Sequence, residues 1–311
     1  MEFKGLEEEI AAHPVITIFR HEHPDCDAMG SQAALDQWIR ENYRDKEVYR
    51  LGAETCTQGK WEAMDQVSDD LVRNSLAIVL DTANKERVDD QRYVQAQKVI
   101  KIDHHPERDP FGSVNYVFEK AAATCEILAT FFEQQKKSVS QKTAEALYCG
   151  LLTDTLCFRT NNTTSHTLAA ASWVAQYDVR IPELNRMLFD QDLKAFRFAG
   201  WIRSHVQTRN DALAYLIIDE DVQKEWGYTG SEARNFIDEI GHVQEFQVWA
   251  LFTQKTVEGK VLYDGSLRSK TVQVNDLAQQ YGGGGHYNAA GVKNLSEKSL
   301  KTLLQSLFSR I

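Results

Sequence analysis

Short apolar runs alternate with amphipathic stretches in the first half of this 311-residue chain. The runs predict strands at 15–19, 47–51, 76–80 and 98–102, and the stretch at about 28–42 predicts a helix after the first strand. Apolar strands that are separated by helices are typical of a parallel sheet covered on both faces. We therefore expect an α/β domain with a parallel sheet.

The second half of the chain changes its pattern twice. Residues from Ala121 to about Val206 have helical spacing, and strands return at 213–218, 248–253 and 260–269, around a helix near 231–240. The last segment, LSEKSLKTLLQSLFSRI, predicts an amphipathic helix that covers the second core. We expect an α/β domain at 1–187, a helical connection at 188–205 and a smaller α/β domain at 206–311.

Composition narrows the class of protein. Apolar runs are too short to cross a bilayer and the N-terminus lacks a signal-peptide pattern, which predicts a cytoplasmic protein without membrane association. The five cysteines follow neither disulfide nor zinc-finger spacing, so we expect them to be small apolar side chains. The net charge of −10 argues against binding of long duplex nucleic acid.

Carboxylates and imidazoles follow the predicted strands at the point where each strand ends. These residues are His21, His23, Asp25, Asp27, Asp81, Asp103, His104 and His105, with Asp154 as a further candidate from the helical part. The carboxyl ends of parallel strands meet at one edge of the sheet, where ligands bind. Carboxylates with a few imidazoles and no thiolate pattern are the ligands that a pair of divalent cations requires.

Three of these residues also have an ordinary structural explanation. Asp81 alone is more commonly a helix cap or turn residue, His23 precedes a proline and fits a turn, and the segment around Asp154 could simply end a helix. The dense clusters HEHPDCD and DHH favour the metal site, because both place several charged groups at adjacent loop positions.

A second polar centre is predicted near the C-terminus. Four glycines follow a helical stretch in YGGGGHYNAAG, where exposed backbone N–H groups can hold an anion. His286 adds a donor, and Arg268 in the upstream SLRSK has the planar fork that suits phosphate. The alternative is a flexible turn, and the histidine and arginine favour a phosphate or carboxylate pocket.

Taken in order, six motifs resemble a known family. HEHPDCDAMGS, LDTAN, DHHP, GLLTDT, SLRS and GGGGHYNAAG, between Val15 and Gly291, look like the DHH phosphoesterases with a C-terminal DHHA1 domain. They are most similar to the nanoRNase branch, whose members degrade very short RNAs and often dephosphorylate 3′-phosphoadenosine 5′-phosphate. The resemblance implies an N-terminal DHH domain, the helical connection and a C-terminal DHHA1 domain.

The resemblance also implies residue roles. One metal would be held by His21, Asp25 and Asp81, and the other by Asp27, Asp81, His104 and Asp154, with Asp81 bridging and manganese as the usual metal. His105 would face the scissile phosphate, Asp103 would support a ligating imidazole from behind, and both would assist Asp81 in catalysis. The distal phosphate or nucleotide would be held by Arg268, Ser269, Gly283, Gly284, Gly285 and His286.

The leading hypothesis is a two-metal phosphoesterase that hydrolyses short oligoribonucleotides to mononucleotides and also dephosphorylates 3′-phosphoadenosine 5′-phosphate. One alternative is a phosphodiesterase for cyclic or linear dinucleotides. A second alternative is a non-catalytic nucleotide sensor on the same fold. Short RNA and phosphorylated nucleotides are the expected ligands, and the sequence does not predict an oligomeric state.

Overall fold

Parallel strands form the sheet of the first half of the chain, in the order β2-β1-β3-β4-β5. The computed structural model describes residues 1–53, 55–107 and 109–311, apart from the side chain of His286. The strands are β1 (Val15–Phe19), β2 (Glu47–Arg50), β3 (Leu76–Leu80), β4 (Lys98–Asp103) and β5 (Val114–Val117). The predicted parallel sheet is confirmed. The sequence pattern missed β5, because VNYV at the sheet edge is too short and polar to stand out.

Helices cover this sheet and carry the loops at its edge. They are α1 (Leu6–Ala12), α2 (Cys26–Asn42), α3 (Asp69–Arg73), α4 (Thr124–Gln135), α5 (Gln141–Asp154), α6 (Ser165–Ala175) and α7 (Ile181–Phe189). Helix α2 begins two residues before its predicted start, because Asp25 caps it. Its Trp38 stacks on Phe132 of α4 with ring centroids 4.6 Å apart.

Close packing of α2 against α5 depends on glycines in both helices, Gly30 and Gly150, and Gly150 faces the polar edge. A Cβ atom added at Gly150 of α5 would lie 2.6 Å from Oδ1 of Asp27 and 2.4 Å from Sγ of Cys125. These distances are too short for any side chain, so glycine leaves the space that the Asp27 carboxylate occupies. This packing brings the C-terminal end of α5 to the residues that follow β1.

The second half of the chain builds a mixed sheet in the order β10-β11-β9-β8-β7-β6. Its strands are β6 (Gln207–Arg209), β7 (Leu213–Ile218), β8 (Val248–Val257), β9 (Lys260–Ser269), β10 (Gly284–His286) and β11 (Ala289–Leu295). Its helices are α8 (Leu193–His205), α9 (Glu220–Trp226), α10 (Gly230–Arg234), α11 (Asn275–Gln280) and α12 (Glu297–Phe308). Strands β7 and β8 are parallel, and the other neighbours are antiparallel.

Two compact units follow from the contacts, Met1–Asp190 and Gln191–Ile311. The segment predicted as a connection, 188–205, contains α8, whose Phe198 and Ile202 are buried in a core of the second unit. The C-terminal amphipathic helix is confirmed as α12, whose buried leucines join another core of this unit. Among the described residues, no helix combines the length and the apolar character needed to span a membrane.

One predicted helix was only partly right. The stretch near 231–240 forms the short helix α10 and then a 3-10 segment, Asn235–Glu239, instead of one continuous α-helix. Helix α10 begins with a capping box in which Thr229 and Glu232 satisfy each other's backbone N–H groups.

Candidate metal centre

The loop after β1 is fixed by a helix cap and a buried arginine. The Asp25 side chain accepts hydrogen bonds from the backbone N–H groups of Asp27 and Ala28, both at 3.0 Å, which fixes the start of α2. The buried Arg20 forms an ion pair with Asp89 and donates a hydrogen bond to the carbonyl oxygen of His21 at 3.0 Å. The sequence therefore builds a rigid turn between β1 and α2.

Asp81 follows β3 directly and is almost completely buried. Its backbone has a φ of 50°, in the left-handed region that residues other than glycine seldom adopt. Such strain persists where the surrounding structure over-determines it, and it clusters at functional sites. This strained conformation favours a functional role for Asp81 over that of an ordinary turn residue.

Imidazoles from two loops converge on Asp81. Nε2 of His21 lies 3.4 Å from Oδ2 of Asp81, and Nε2 of His104 lies 3.4 Å from Oδ1. His21 also lies 3.8 Å from Oδ2 of Asp25, and His104 lies 3.4 Å from Oδ2 of Asp154. The structure thus brings these predicted residues together at one edge of the sheet.

Asp27 is held by the first turn of α4. Its fully buried carboxylate accepts hydrogen bonds from the backbone N–H groups of Thr124 at 2.6 Å and Cys125 at 2.9 Å. The hydroxyl of Thr124 donates to Oδ1 of Asp81 at 3.1 Å. Thr124, at the start of α4, therefore helps to orient two carboxylates, those of Asp27 and Asp81.

His105 and Asp103 form a pair beside this cluster. Nδ1 of His105 lies 2.8 Å from Oδ1 of Asp103 and 3.6 Å from Oδ1 of Asp81. Oδ2 of Asp103 lies 3.3 Å from Nζ of Lys101, and both of these side chains are fully buried. Asp103 thus contacts His105, whereas Nδ1 of His104 lies 3.4 Å from the carbonyl oxygen of Ala121.

Burial and mutual contacts determine the charge of the cluster. Burial lowers the pKa of both His21 and His104, but contacts with carboxylates outweigh it and raise both pKa values to about 10. The carboxylates are Asp25 and Asp81 for His21, and Asp81 for His104. Burial and the charge of Asp81 raise the pKa of Asp27 to about 7. Burial opposes ionisation of Asp81 as well, yet hydrogen bonds from the two imidazoles keep its pKa well below its usual value.

The crowded carboxylates fit divalent cations. Burial and the charges of Asp27 and Asp81 raise the pKa of Asp154 well above its usual value, because ionisation would add a further negative charge beside theirs. Three sets of donor atoms each lie within 4.8 Å of one another: His21 with Asp25 and Asp81, Asp27 with His104 and Asp154, and Asp81 with His104 and His105. Oxygen and imidazole donors in sets that share members suit a pair of cations.

The predicted residues of the second unit lie on antiparallel strands. Arg268 on β9 and His286 on β10 both pair with Ala289 of β11, so their backbone positions form one row across three strands. Nε of Arg268 lies 3.8 Å from Oδ1 of Asp238, Nη1 donates a hydrogen bond to the carbonyl oxygen of Leu267 at 3.1 Å, and the side chain is 32% exposed. The side chain of His286 lies outside the described part of the chain.

The glycine run differs from the expected loop. Gly284 and Gly285 belong to the edge strand β10, and Gly283 donates its N–H to the carbonyl oxygen of Ala278 at 2.9 Å. The buried Ser269 donates its hydroxyl to the carbonyl oxygen of Val272. Its hydrogen is therefore engaged within the protein, and only its oxygen remains available to a ligand.

Sequence reasoning missed Thr124 and Lys101. Helix α4 has Ala123 at its N-cap position, where a capping side chain is usual. The missing cap was a signal that another side chain, here that of Asp27, satisfies the free N–H groups. Lys101 gave a comparable signal, since a lysine inside an otherwise apolar strand requires a buried partner.

The fold and the site define a DHH phosphoesterase architecture, and the chain belongs to the DHH family. Residues 15–151 match the DHH family, N-terminal domain, and residues 210–311 match the DHHA1 domain. The chain is 34% identical to a probable bifunctional oligoribonuclease and PAP phosphatase NrnA from Streptococcus mutans, over 98% of this chain and 97% of that protein. It is 33% identical to the bifunctional oligoribonuclease and PAP phosphatase NrnA from Bacillus subtilis, over 96% of this chain and 95% of that protein.

A solved structure has the same fold. An exopolyphosphatase-related protein from Bacteroides fragilis superimposes with a TM-score of 0.85, covering 97% of this chain and 94% of that one. The two sequences are 20% identical, so this similarity supports the fold alone.

Proposed function

We propose that this protein hydrolyses short oligoribonucleotides to mononucleotides and also removes the 3′-phosphate of 3′-phosphoadenosine 5′-phosphate. The observation that carries the proposal is the sharing of Asp81 and His104 among three adjoining donor sets. A shared carboxylate is what a pair of cations at a phosphoester requires. The names of the relatives from Streptococcus mutans and Bacillus subtilis support these two substrates.

The ligands divide into two groups. We assign His21, Asp25 and Asp81 to one cation and Asp27, Asp81, His104 and Asp154 to the other, with Mn²⁺ as the first metal to test. Cations bound there would supply the charge that activates water and neutralises the phosphoryl oxygens. The mixture of carboxylates and imidazoles suits a borderline cation such as Mn²⁺ better than Mg²⁺, which prefers oxygen alone.

His105 is proposed to contact the scissile phosphate. Because Asp103 contacts Nδ1 of this ring, Nε2 is the atom left to donate to a phosphoryl oxygen. Lys101 neutralises the other oxygen of Asp103 and so helps to hold the ring in one orientation. Asp103 and Lys101 are therefore positioning residues, and His105 is the donor that stabilises charge on the substrate.

The second unit is proposed to hold the part of the substrate that is not cut. Arg268 would bind a phosphate through the guanidinium of its partly exposed side chain. The edge strand β10 would offer the backbone N–H of either Gly284 or Gly285, because consecutive residues of an antiparallel strand direct their N–H groups to opposite sides. Gly283 and His286 flank these glycines, and Ser269 lies at the end of β9. A substrate of a few nucleotides needs few phosphate contacts, which agrees with the net charge of −10.

Product analysis with the purified full chain tests the proposal. The protein with Mn²⁺ would be given a 5′-labelled RNA dinucleotide, a five-residue RNA, a long RNA, 3′-phosphoadenosine 5′-phosphate and a cyclic dinucleotide. We expect mononucleotides from the short RNAs, adenosine 5′-phosphate from the bisphosphate, and an intact long RNA. Parallel reactions with EDTA, Mg²⁺ or Zn²⁺ would identify the metal.

Other products would replace the proposal. Cleavage of the cyclic dinucleotide alone would make the protein a cyclic-dinucleotide phosphodiesterase, and consumption of the bisphosphate alone would make it a nucleotide phosphatase. Tight nucleotide binding without any product would favour the sensor. An unchanged rate in EDTA would contradict the metal centre itself.

A further inference from the structure

Two cysteines lie side by side next to the candidate metal ligands. Sγ of Cys26 is 4.0 Å from Sγ of Cys56, although the two residues are far apart in sequence. Cys26 is fully buried in the first turn of α2, whereas Cys56 is half-buried in the segment between β2 and α3. We propose that Cys26 and Cys56 form a reversible disulfide that lowers cation binding at the adjacent centre.

The segment that carries Cys56 can deliver its sulfur. Its described residues, 52–53 and 55–67, form neither helix nor strand. The carbonyl oxygen of Gln58 accepts a hydrogen bond from the thiol of Cys26 at 3.4 Å and another from Nε1 of Trp61 at 2.7 Å, so this segment already rests against Cys26. A disulfide requires the sulfurs at about 2.05 Å, so the two sulfurs, now 4.0 Å apart, have to approach each other by about 2 Å, and Cys26 moves as well as Cys56.

The position of Cys26 couples this bond to the site. Cys26 lies between Asp25, which caps α2, and Asp27, which the first turn of α4 holds. A covalent link at that point pulls the start of α2 toward the irregular segment and displaces both carboxylates from the donor sets. Metal ligands tolerate little displacement, and loss of a partner that only orients a ligand costs about 10- to 100-fold in affinity or activity.

A peroxide is sufficient to form the bond. Hydrogen peroxide transfers one oxygen atom to the more exposed Cys56 thiol, which gives a sulfenic acid and one water. The sulfur of Cys26 then attacks the sulfenic sulfur, the S–O bond breaks, the S–S bond forms, and a second water leaves. The two thiols lose two electrons in total, the peroxide gains them, and a dithiol such as dithiothreitol reverses the reaction.

The test uses the full chain and two matched variants, Cys56→Ser and Cys157→Ser. Cys157 is exposed and free, so its replacement controls for loss of a reactive thiol elsewhere. After peroxide treatment and alkylation, trypsin would release residues 21–40 joined to residues 51–60, lighter by two hydrogens than the separate peptides. We expect this product from the native chain and from Cys157→Ser, and its absence from Cys56→Ser.

Metal binding is the second readout, because it does not depend on the proposed RNA substrate. Calorimetric titration with Mn²⁺ should show at least about tenfold weaker binding after oxidation of the native chain, full recovery with dithiothreitol, and no change in Cys56→Ser. Pairing of Cys56 with Cys157 would overturn the proposal. A Cys26–Cys56 link that leaves Mn²⁺ affinity unchanged would overturn it as well.

Discussion

The carboxylates and imidazoles of the first unit lie at the ends of parallel strands, whereas the polar residues of the second unit lie along antiparallel strands. In the first unit the side chains lie within about hydrogen-bonding distance of one another, and all but the exposed Asp25 are buried or half-buried. Burial and neighbouring carboxylates raise the pKa values of Asp27 and Asp154 there. In the second unit Arg268 is partly exposed, and the two glycines of β10 contribute only backbone. The first site therefore needs positive charge to neutralise its carboxylates, whereas the second offers a partly exposed arginine and the edge of a strand.

The largest expected effect comes from removing one charge at the shared carboxylate. Asp81→Asn keeps the shape of the side chain, and asparagine tolerates the left-handed φ of 50° at this position. We expect turnover of a short RNA to fall by more than about 100-fold, since a shared ligand should matter more than the groups that only orient ligands. Steady-state rates at saturating Mn²⁺ would measure the loss.

Asp70→Asn is the matched control for this change. Asp70 is highly exposed in α3, where it pairs with Arg73. Its replacement should leave the rate within about twofold, because exposed ion pairs contribute little. Near-normal turnover by Asp81→Asn would remove the contrast between the two units.

A smaller effect is expected at the buried lysine of β4. Lys101→Met leaves the fully buried Asp103 without its ion pair and should lower the free energy of unfolding by about 3 to 5 kcal/mol. Activity should fall about 10- to 100-fold through His105, mostly in kcat, and Lys101→Arg should restore part of it. Urea unfolding and Michaelis kinetics would separate the two effects.

Lys98→Met tests whether the burial of the lysine causes the loss of stability expected for Lys101→Met. Lys98 lies on the same strand and pairs with Glu9, but its side chain is 31% exposed. Its loss should cost no more than about 1 kcal/mol. Equal losses of stability in Lys101→Met and Lys98→Met would mean that the buried ion pair with Asp103 stabilises the fold no more than the partly exposed pair with Glu9 does.

The affinity of the site for a cation should rise with pH. The pKa values of His21 and His104 are raised to about 10 in the metal-free chain, so both rings carry protons at neutral pH that a cation has to displace. Mn²⁺ affinity should therefore rise between pH 7 and 10, by up to about tenfold per pH unit for each proton displaced. Calorimetry in buffers of different ionisation enthalpy would count the protons released.

The stability of the metal-free chain should change in the opposite direction. Folded-state pKa values above the usual 6.5 of histidine mean that these imidazoles contribute stability below about pH 6.5, which is lost as the pH rises through 10. The pKa of Asp27 is raised from its usual 3.8 to about 7, so this carboxyl adds a further loss of stability as the pH rises from 3.8 to 7. The melting temperature without metal should thus fall from pH 6.5 to 10, and His21→Gln should reduce both this slope and the proton release. A flat profile would contradict the charge arrangement.

The same contrast explains what the sequence could predict. The edge of the parallel sheet was predictable, because each apolar strand is followed directly by its polar residues and parallel topology places those ends together. Strand β10 was not predictable, because a run of glycines has little intrinsic preference for strand and forms one here only by pairing with β11. The contacts of Thr124 with Asp27 and Asp81 depend on packing between distant segments, which spacing along the chain does not encode.

The smallest expected effect distinguishes packing from binding within the glycine run. A Cβ atom added at Gly283 would lie 2.1 Å from the carbonyl oxygen of Gly291, whereas one added at Gly284 meets nothing within 4 Å. Gly283→Ala should therefore lower the free energy of unfolding by about 1 to 3 kcal/mol through overpacking. Gly284→Ala should leave stability within about 0.5 kcal/mol.

Activity then shows whether this edge meets the substrate. If the open side of β10 holds a phosphate, Gly284→Ala places a methyl group on the sheet face beside that edge. It should then raise KM a few-fold with kcat unchanged, which is the pattern expected when uniform binding is lost. Arg268→Ala should raise KM in the same way and by a larger factor, because it removes a charged contact. An unchanged KM in both variants would restrict the glycine run to packing, and would leave the proposed substrate contacts to the first unit alone.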